Sequence, residues 1–295
     1  PGESIVALSP GTETIEMPPH AAAFAVNTYA YVLSHSAKDC LAHLAAQGHA
    51  DFELVLFPGH LWPSETEASA RRSLRSHLAS RQLRLITLNM PNIDINVAAA
   101  SKEMRDYSLS QLSAAVVLAG DLGVPGLIVG PGKPNPLFPL PKTKMMGYFF
   151  AALDLLVPLA ERCGTQIWIE NLPFAFLPDA DKLAAALDQY ANPSVGIVYD
   201  VANAVFHRED PAYGLERVRD RLRLVHLSDT GHNVYRHDTV GSGIVPFAAL
   251  PPVLAKIGYA ELPMLEIITG TPDIDIQTSA EKLIAMGWPA QGRGR

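Results

Sequence analysis

Four apolar runs in the second half of the chain each carry one ionisable side chain at or near their end: Glu170 in IWIEN, Asp200 in GIVYD, His226 in RLVHL and Glu266 in PMLEI. Singly, such residues are ordinary, and a lone histidine in an apolar strand is usually a core residue whose hydrogen bonds are met. Three carboxylates brought to one buried point are different. They repel one another and carry a large desolvation cost unless protonated or neutralised by a cation. A divalent ion resolves that cost. An oxygen-rich set with one imidazole suits Mn2+, Mg2+ or Co2+, and accepts Zn2+.

Whether the four residues meet depends on the elements that carry them. Short runs rich in Val, Ile and Leu recur eight times, as FAVN, FELVLF, LRLITL, GLIVG, IWIE, GIVYD, LRLVHL and PMLEI. Between most of them lie stretches with apolar spacings of three and four, such as SAKDCLAHLAAQG, SLSQLSAAVVLAGDLG, MGYFFAALDLLVPLAERCG and DADKLAAALDQYA, which is helical periodicity. Apolar strands alternating with helices pair in parallel through right-handed crossovers. Eight such units at this length predict an α/β fold, a single-domain (β/α)8 TIM barrel over residues 22–288, with an N-terminal extension of residues 1–21 and a tail of residues 289–295. An open doubly wound sheet would carry a glycine-rich dinucleotide turn after its first strand, and FAVNTYAYVLSHS has none. In a barrel the C-terminal strand ends share one face, so strands five to eight present Glu170, Asp200, His226 and Glu266 on one rim.

The same rim is expected to carry substrate contacts. His60 and Trp62 follow strand two in FPGHLWP, Asn89 ends strand three, and Lys133 follows strand four in GPGKPNP. An aromatic can cover the apolar face of a sugar and an imidazole can bond a hydroxyl, whereas the lysine is expected to be solvated. The loop SDTGHNVYRHDTVGSG after strand seven is dense in polar groups, and from it Arg236 and His237 are expected to contact substrate oxygens. His232 receives no role, and His207, in FHREDP, is placed at the start of a surface helix.

Composition narrows the partners. The 295 residues are 48% apolar and carry a formal net charge of -7, which argues against a nucleic-acid partner held by counterion release. The two cysteines, Cys40 and Cys163, sit in helix-like patterns, so no disulfide framework is expected and a reducing compartment fits. No run is expected to span a bilayer and no signal-peptide layout opens the chain, so the expectation is a cytoplasmic protein without a membrane partner.

The ordered series IWIENLPF, VGIVYDVANAVFHREDP, RLVHLSDT, HDTVGSGIVPF and PMLEI resembles the xylose-isomerase-like barrel superfamily of sugar isomerases and epimerases, over nearly the whole chain. The resemblance implies one divalent ion, Mn2+ first, ligated by Glu170, Asp200, His226 and Glu266. From the ketose epimerase branch it implies that Glu170 and Glu266 are also the catalytic acid-base pair. There are departures. Ketose epimerases show Asp-x-x-His on strand six where this chain reads DVAN, so Asn203 stands in the histidine's place and is read as a substrate contact; a glutamate after the strand-seven histidine is also missing. The apurinic endonucleases of the superfamily hold three zinc ions. Here YRHDTVGSG keeps His237 but sets Tyr235 where a ligating aspartate belongs, and Asn203 removes another ligand. Together with the acidic charge, this disfavours DNA repair.

The expected activity is therefore isomerisation or epimerisation of a small-molecule sugar or keto-polyol by proton transfer through an enediolate. A keto-sugar or keto-inositol dehydratase or lyase on the same metal site is the alternative, and a non-catalytic sugar-binding subunit a more distant one. Barrels of this type often form homo-oligomers.

Overall fold

The eight apolar runs form eight parallel strands in a computed structural model that describes residues 23–91 and 94–290. They are β1 (Ala25–Asn27), β2 (Asp51–Val55), β3 (Arg84–Asn89), β4 (Gly126–Val129), β5 (Gln166–Glu170), β6 (Gly196–Asp200), β7 (Leu222–Leu227) and β8 (Met264–Leu265). Each pairs with its sequence neighbours, and β8 closes onto β1, giving the closed (β/α)8 barrel. The expected extension of residues 1–21 and the last five residues of the tail lie outside the described residues.

Helices follow the strands: α1 (Ala37–Ala46), α2 (Ala68–Ser80), α3 (Lys102–Leu122), α4 (Lys142–Cys163), α5 (Ala180–Tyr190), α6 (Val201–Phe206), α7 (Pro211–Val218), α8 (Leu250–Lys256) and α9 (Pro272–Ala285). Their starts are set by side-chain caps, as at Ser36, Ser101 and Asp179. The long α3 and α4 stop at Gly123 and Gly164, whose φ of 72° and 73° is the left-handed conformation that glycine adopts at little cost. His207 lies elsewhere than expected. It ends α6, and the next helix starts at Asp210, whose side chain accepts from the Ala212 N–H, with Pro211 in the first turn.

Against the expectation that no run reaches that length, α4 over Lys142–Cys163 is by length and composition alone long and apolar enough to cross a bilayer. Its apolarity has another use here, because Met145, Phe149, Leu153, Leu156 and Val157 are buried in the core between helices and strands.

A second, smaller core fills the barrel itself: Ala25, Ile128, Trp168, Val198, Leu224 and Met264. Side chains alternate along a strand, so residues two positions further on point the same way. Two positions beyond Ala25, Trp168, Val198, Leu224 and Met264 stand Asn27, Glu170, Asp200, His226 and Glu266. The polar layer thus sits one pleat above an apolar plug. Trp168 fits because glycines flank it: a Cβ on Gly126 would lie 2.5 Å from its ring, and one on Gly196 2.8 Å. Gly126→Ala is therefore expected to destabilise the fold by about 1–3 kcal/mol through overpacking, read as a lower denaturant midpoint at unchanged slope.

Candidate metal centre

Glu170, Asp200, His226 and Glu266 converge. Each offers one ligand atom, and these atoms lie within 4.8 Å of one another. All four residues are buried. The register explains the meeting, since Asp200 pairs directly with His226 across β6 and β7, and His226 with Met264 across β7 and β8. His226 Nδ1 stands at the centre of the set, 3.1 Å from Glu266 Oε2, 3.3 Å from Glu170 Oε1 and 4.0 Å from Asp200 Oδ2.

Local structure aims the Asp200 carboxylate. Its Oδ1 caps α6 by accepting the Asn203 N–H at 2.8 Å, while Asn171 bonds the Asp200 backbone twice, at 2.7 and 3.0 Å. The other oxygen, Oδ2, is buried without a hydrogen-bond partner, an unfavourable state for an anionic oxygen unless a cation meets it. Ligands about 2.1 Å from an octahedral ion stand about 3 Å apart when adjacent and about 4.2 Å when opposite. The three separations from His226 Nδ1 fit that geometry, and the donor set fits a divalent ion.

Electrostatics agree. Burial raises the Glu170 carboxyl to about 6, and burial likewise holds Glu266 well above the ordinary range. Burial alone would lower the His226 imidazole, but Glu53 and Glu266 outweigh it and hold its pKa well above the usual value.

A cavity of about 380 Å³ opens over this cluster, with Glu170 and Glu266 in its wall beside Tyr29, Asn89, Phe174, Tyr235 and His237. Phe174 packs edge-on to Tyr235 at 5.4 Å, giving one apolar side. Tyr235 donates to Asn203 Oδ1 at 2.7 Å, and its oxygen lies 2.9 Å from His237 Nε2. His237 Nδ1 bonds Ser228 Oγ at 2.9 Å and reaches within 3.4 Å of Glu266 Oε2. Side chains at the positions compared with endonuclease ligands therefore bond one another, while Asn203 Nδ2 is buried without a hydrogen-bond partner.

The sequence candidates divide. Asn89, His237 and Lys133 line the cavity, and Asn203 lies behind Tyr235. His60, Trp62 and Arg236 do not line it. Both ring nitrogens of His60 are engaged, Nε2 with Thr28 Oγ1 at 3.1 Å and Nδ1 with the His35 carbonyl at 2.7 Å, so it fastens the β1 and β2 loops together. Trp62 packs against the outer core, and Arg236 turns outward beside Asp238. Tyr29, Phe174, Asn27 and Glu53 also belong to the site without being among the sequence candidates, and Tyr235 stands in it as more than a missing ligand. For Glu53 a signal existed, because a carboxylate inside the apolar run FELVLF has no ordinary place in a strand covered on both faces.

A closed eight-stranded barrel with a carboxylate and imidazole cluster at the C-terminal strand ends is a (β/α)8 barrel with a candidate metal site at that face. The chain belongs to the xylose isomerase-like TIM barrel family, whose model matches residues 41–286. A D-tagatose 3-epimerase-like protein superimposes with a TM-score of 0.76 at 21% identity, covering 89% of this chain and 96% of that one. An IolI protein with a bound zinc atom superimposes with a TM-score of 0.74 at 15% identity, over 89% of this chain and 97% of that one. At such identities the likeness shows the fold. By sequence the chain is similar to the uncharacterized protein MJ1311 of Methanocaldococcus jannaschii, 24% identical over 182 residues, which is 59% of this chain and 61% of that protein.

Proposed function

We propose that the protein is a divalent-metal-dependent isomerase or epimerase of a sugar or keto-polyol. The observation that carries this reading is the convergence of Glu170, Asp200, His226 and Glu266 around the orphaned Asp200 Oδ2, directly beneath a cavity that both glutamates reach. The family and the epimerase-like and zinc-holding neighbours support it.

A divalent ion held by these four residues supplies Lewis-acid stabilisation of negative charge on substrate oxygens. The chain's own groups do the rest. One of Glu170 and Glu266 removes the proton from the carbon beside the carbonyl and the other returns a proton, giving overall transfer through an enediolate. Burial raises both carboxyls above the ordinary carboxylate range, the direction that suits groups which take up and return a proton. Asn89 and Tyr235 present hydrogen-bonding groups to hydroxyls, His237 holds the Tyr235 oxygen in place through Nε2, and Phe174 covers a C–H face.

Incubation with a panel of keto-sugars in deuterated water tests the reading. The expected result is metal-dependent incorporation of one deuterium into a product of otherwise unchanged mass. Turnover without incorporation rules out exchangeable proton abstraction, and a product lighter by water identifies elimination instead.

A further inference from the structure

Resting on that metal reading, we infer that Glu53 is a positioning residue that sets which nitrogen of His226 faces the ion. Glu53 is fully buried inside the barrel mouth, on the far side of the imidazole from the other carboxylates. Its Oε2 lies 3.1 Å from His226 Nε2, and its Oε1 accepts from Asn27 Nδ2 at 2.5 Å and from Asn89 Nδ2 at 2.9 Å.

A carboxylate offers acceptors only, so His226 Nε2 must carry the proton that it gives to Glu53. Nδ1, the atom that faces Glu170, Asp200 and Glu266, is thereby the nitrogen left to meet an ion once its own proton is displaced. A second hydrogen bond at a ligating histidine's remote nitrogen fixes both its tautomer and its ring plane.

The orientation of Glu53 is itself determined. Asn27 Oδ1 accepts the Tyr29 backbone N–H at 2.6 Å, so its amide cannot be turned over without losing that bond, and Nδ2 is held toward Glu53. The same Nδ2 group also reaches Glu266 Oε1 at 3.1 Å. Asn27 thus ties the carboxylate behind the histidine to one of the carboxylates in front of it. His226 on β7 and Glu266 just past β8 are oriented by residues from β1 and β2, across the closure of the barrel.

This arrangement makes two substitutions separable. In Glu53→Gln the oxygen must stay toward Asn27, which turns the amide N–H2 toward His226 Nε2. A donor there demands an unprotonated Nε2 and moves the proton to Nδ1, onto the metal-facing side. Glu53→Ala removes the partner without imposing the wrong tautomer. The isosteric glutamine is therefore expected to harm metal binding more than the truncation does, the reverse of what a packing role would give.

Zinc affinity, measured by chelator competition on folded wild type and both variants, is the test, with ¹⁵N-histidine NMR of the zinc-loaded wild type. The expected result is affinity lowered about 100-fold in Glu53→Gln and about 10-fold in Glu53→Ala, with His226 bound through Nδ1 and protonated at Nε2. Glutamine within threefold of wild type, alanine worse than glutamine, or coordination through Nε2 overturns this inference while leaving the metal site standing. A wild type that takes up no divalent ion overturns the metal reading and this inference together.

Discussion

Glu266→Gln is expected to lower kcat by about 100- to 10,000-fold, the range over which positioned acid-base groups contribute to proton transfer. Glu170→Gln is expected to do the same. Both carboxylates line the cavity and both lie beside His226 Nδ1, the placement that the proposed double role of ligand and proton carrier requires. The amide keeps one ligating oxygen but cannot accept or return a proton at its nitrogen. Loss of kcat is therefore expected to exceed what restored metal concentrations recover. Saturating the variants with Mn2+ and following solvent deuterium incorporation separates the roles: exchange that persists at the wild-type rate in either variant removes that glutamate from the proton path.

Asp200→Asn is expected to weaken metal binding by more than about 100-fold, beyond the usual effect of an outer-sphere change. The variant is chosen because asparagine still caps α6 through a side-chain oxygen at the Asn203 N–H. It removes the charge at the orphaned Oδ2. Wild type at 100 times its Kd for the ion gains about 2.7 kcal/mol of stability, and the variant gains almost none at that concentration. Without metal, loss of one carboxylate from a crowded buried cluster relieves repulsion, so the melting temperature of the variant is expected to equal or exceed that of wild type. Scanning calorimetry with and without ion reads both outcomes.

The same cluster fixes the sign of the pH dependence. Glu170 is raised to about 6 by burial, Glu266 is held well above the ordinary range by burial, and His226 is raised by its carboxylate partners against burial. These groups hold protons in the metal-free protein that ligation must displace, so affinity rises with pH from below about 6 upward and uptake of the ion releases protons. Titration calorimetry in buffers of differing ionisation enthalpy counts them; uptake without release contradicts ligation by these residues.

The barrel was legible in the sequence because both of its signals are local. Apolar runs marked eight strands, spacings of three and four marked the helices between them, and every one of the eight runs became a strand. The convergence of Glu170, Asp200, His226 and Glu266 followed from position alone, since residues near the ends of consecutive barrel strands cannot avoid one another. Local pattern served less well beyond the strands. His60 and Trp62 follow a strand end as a substrate contact should, yet His60 spends both nitrogens on Thr28 and His35. Arg236 and Tyr235 are adjacent in one loop, but only Tyr235 reaches the cavity.

Strand periodicity and residue chemistry by themselves determined the architecture and the four ionisable groups at its mouth. Which loop residues face the cavity, and which partner orients His226, was decided only by closure of the barrel. Glu53 and His226 are 173 residues apart and meet at 3.1 Å. No window of sequence contains that contact, because it exists only once β8 has paired with β1 and the first strands stand across from the last.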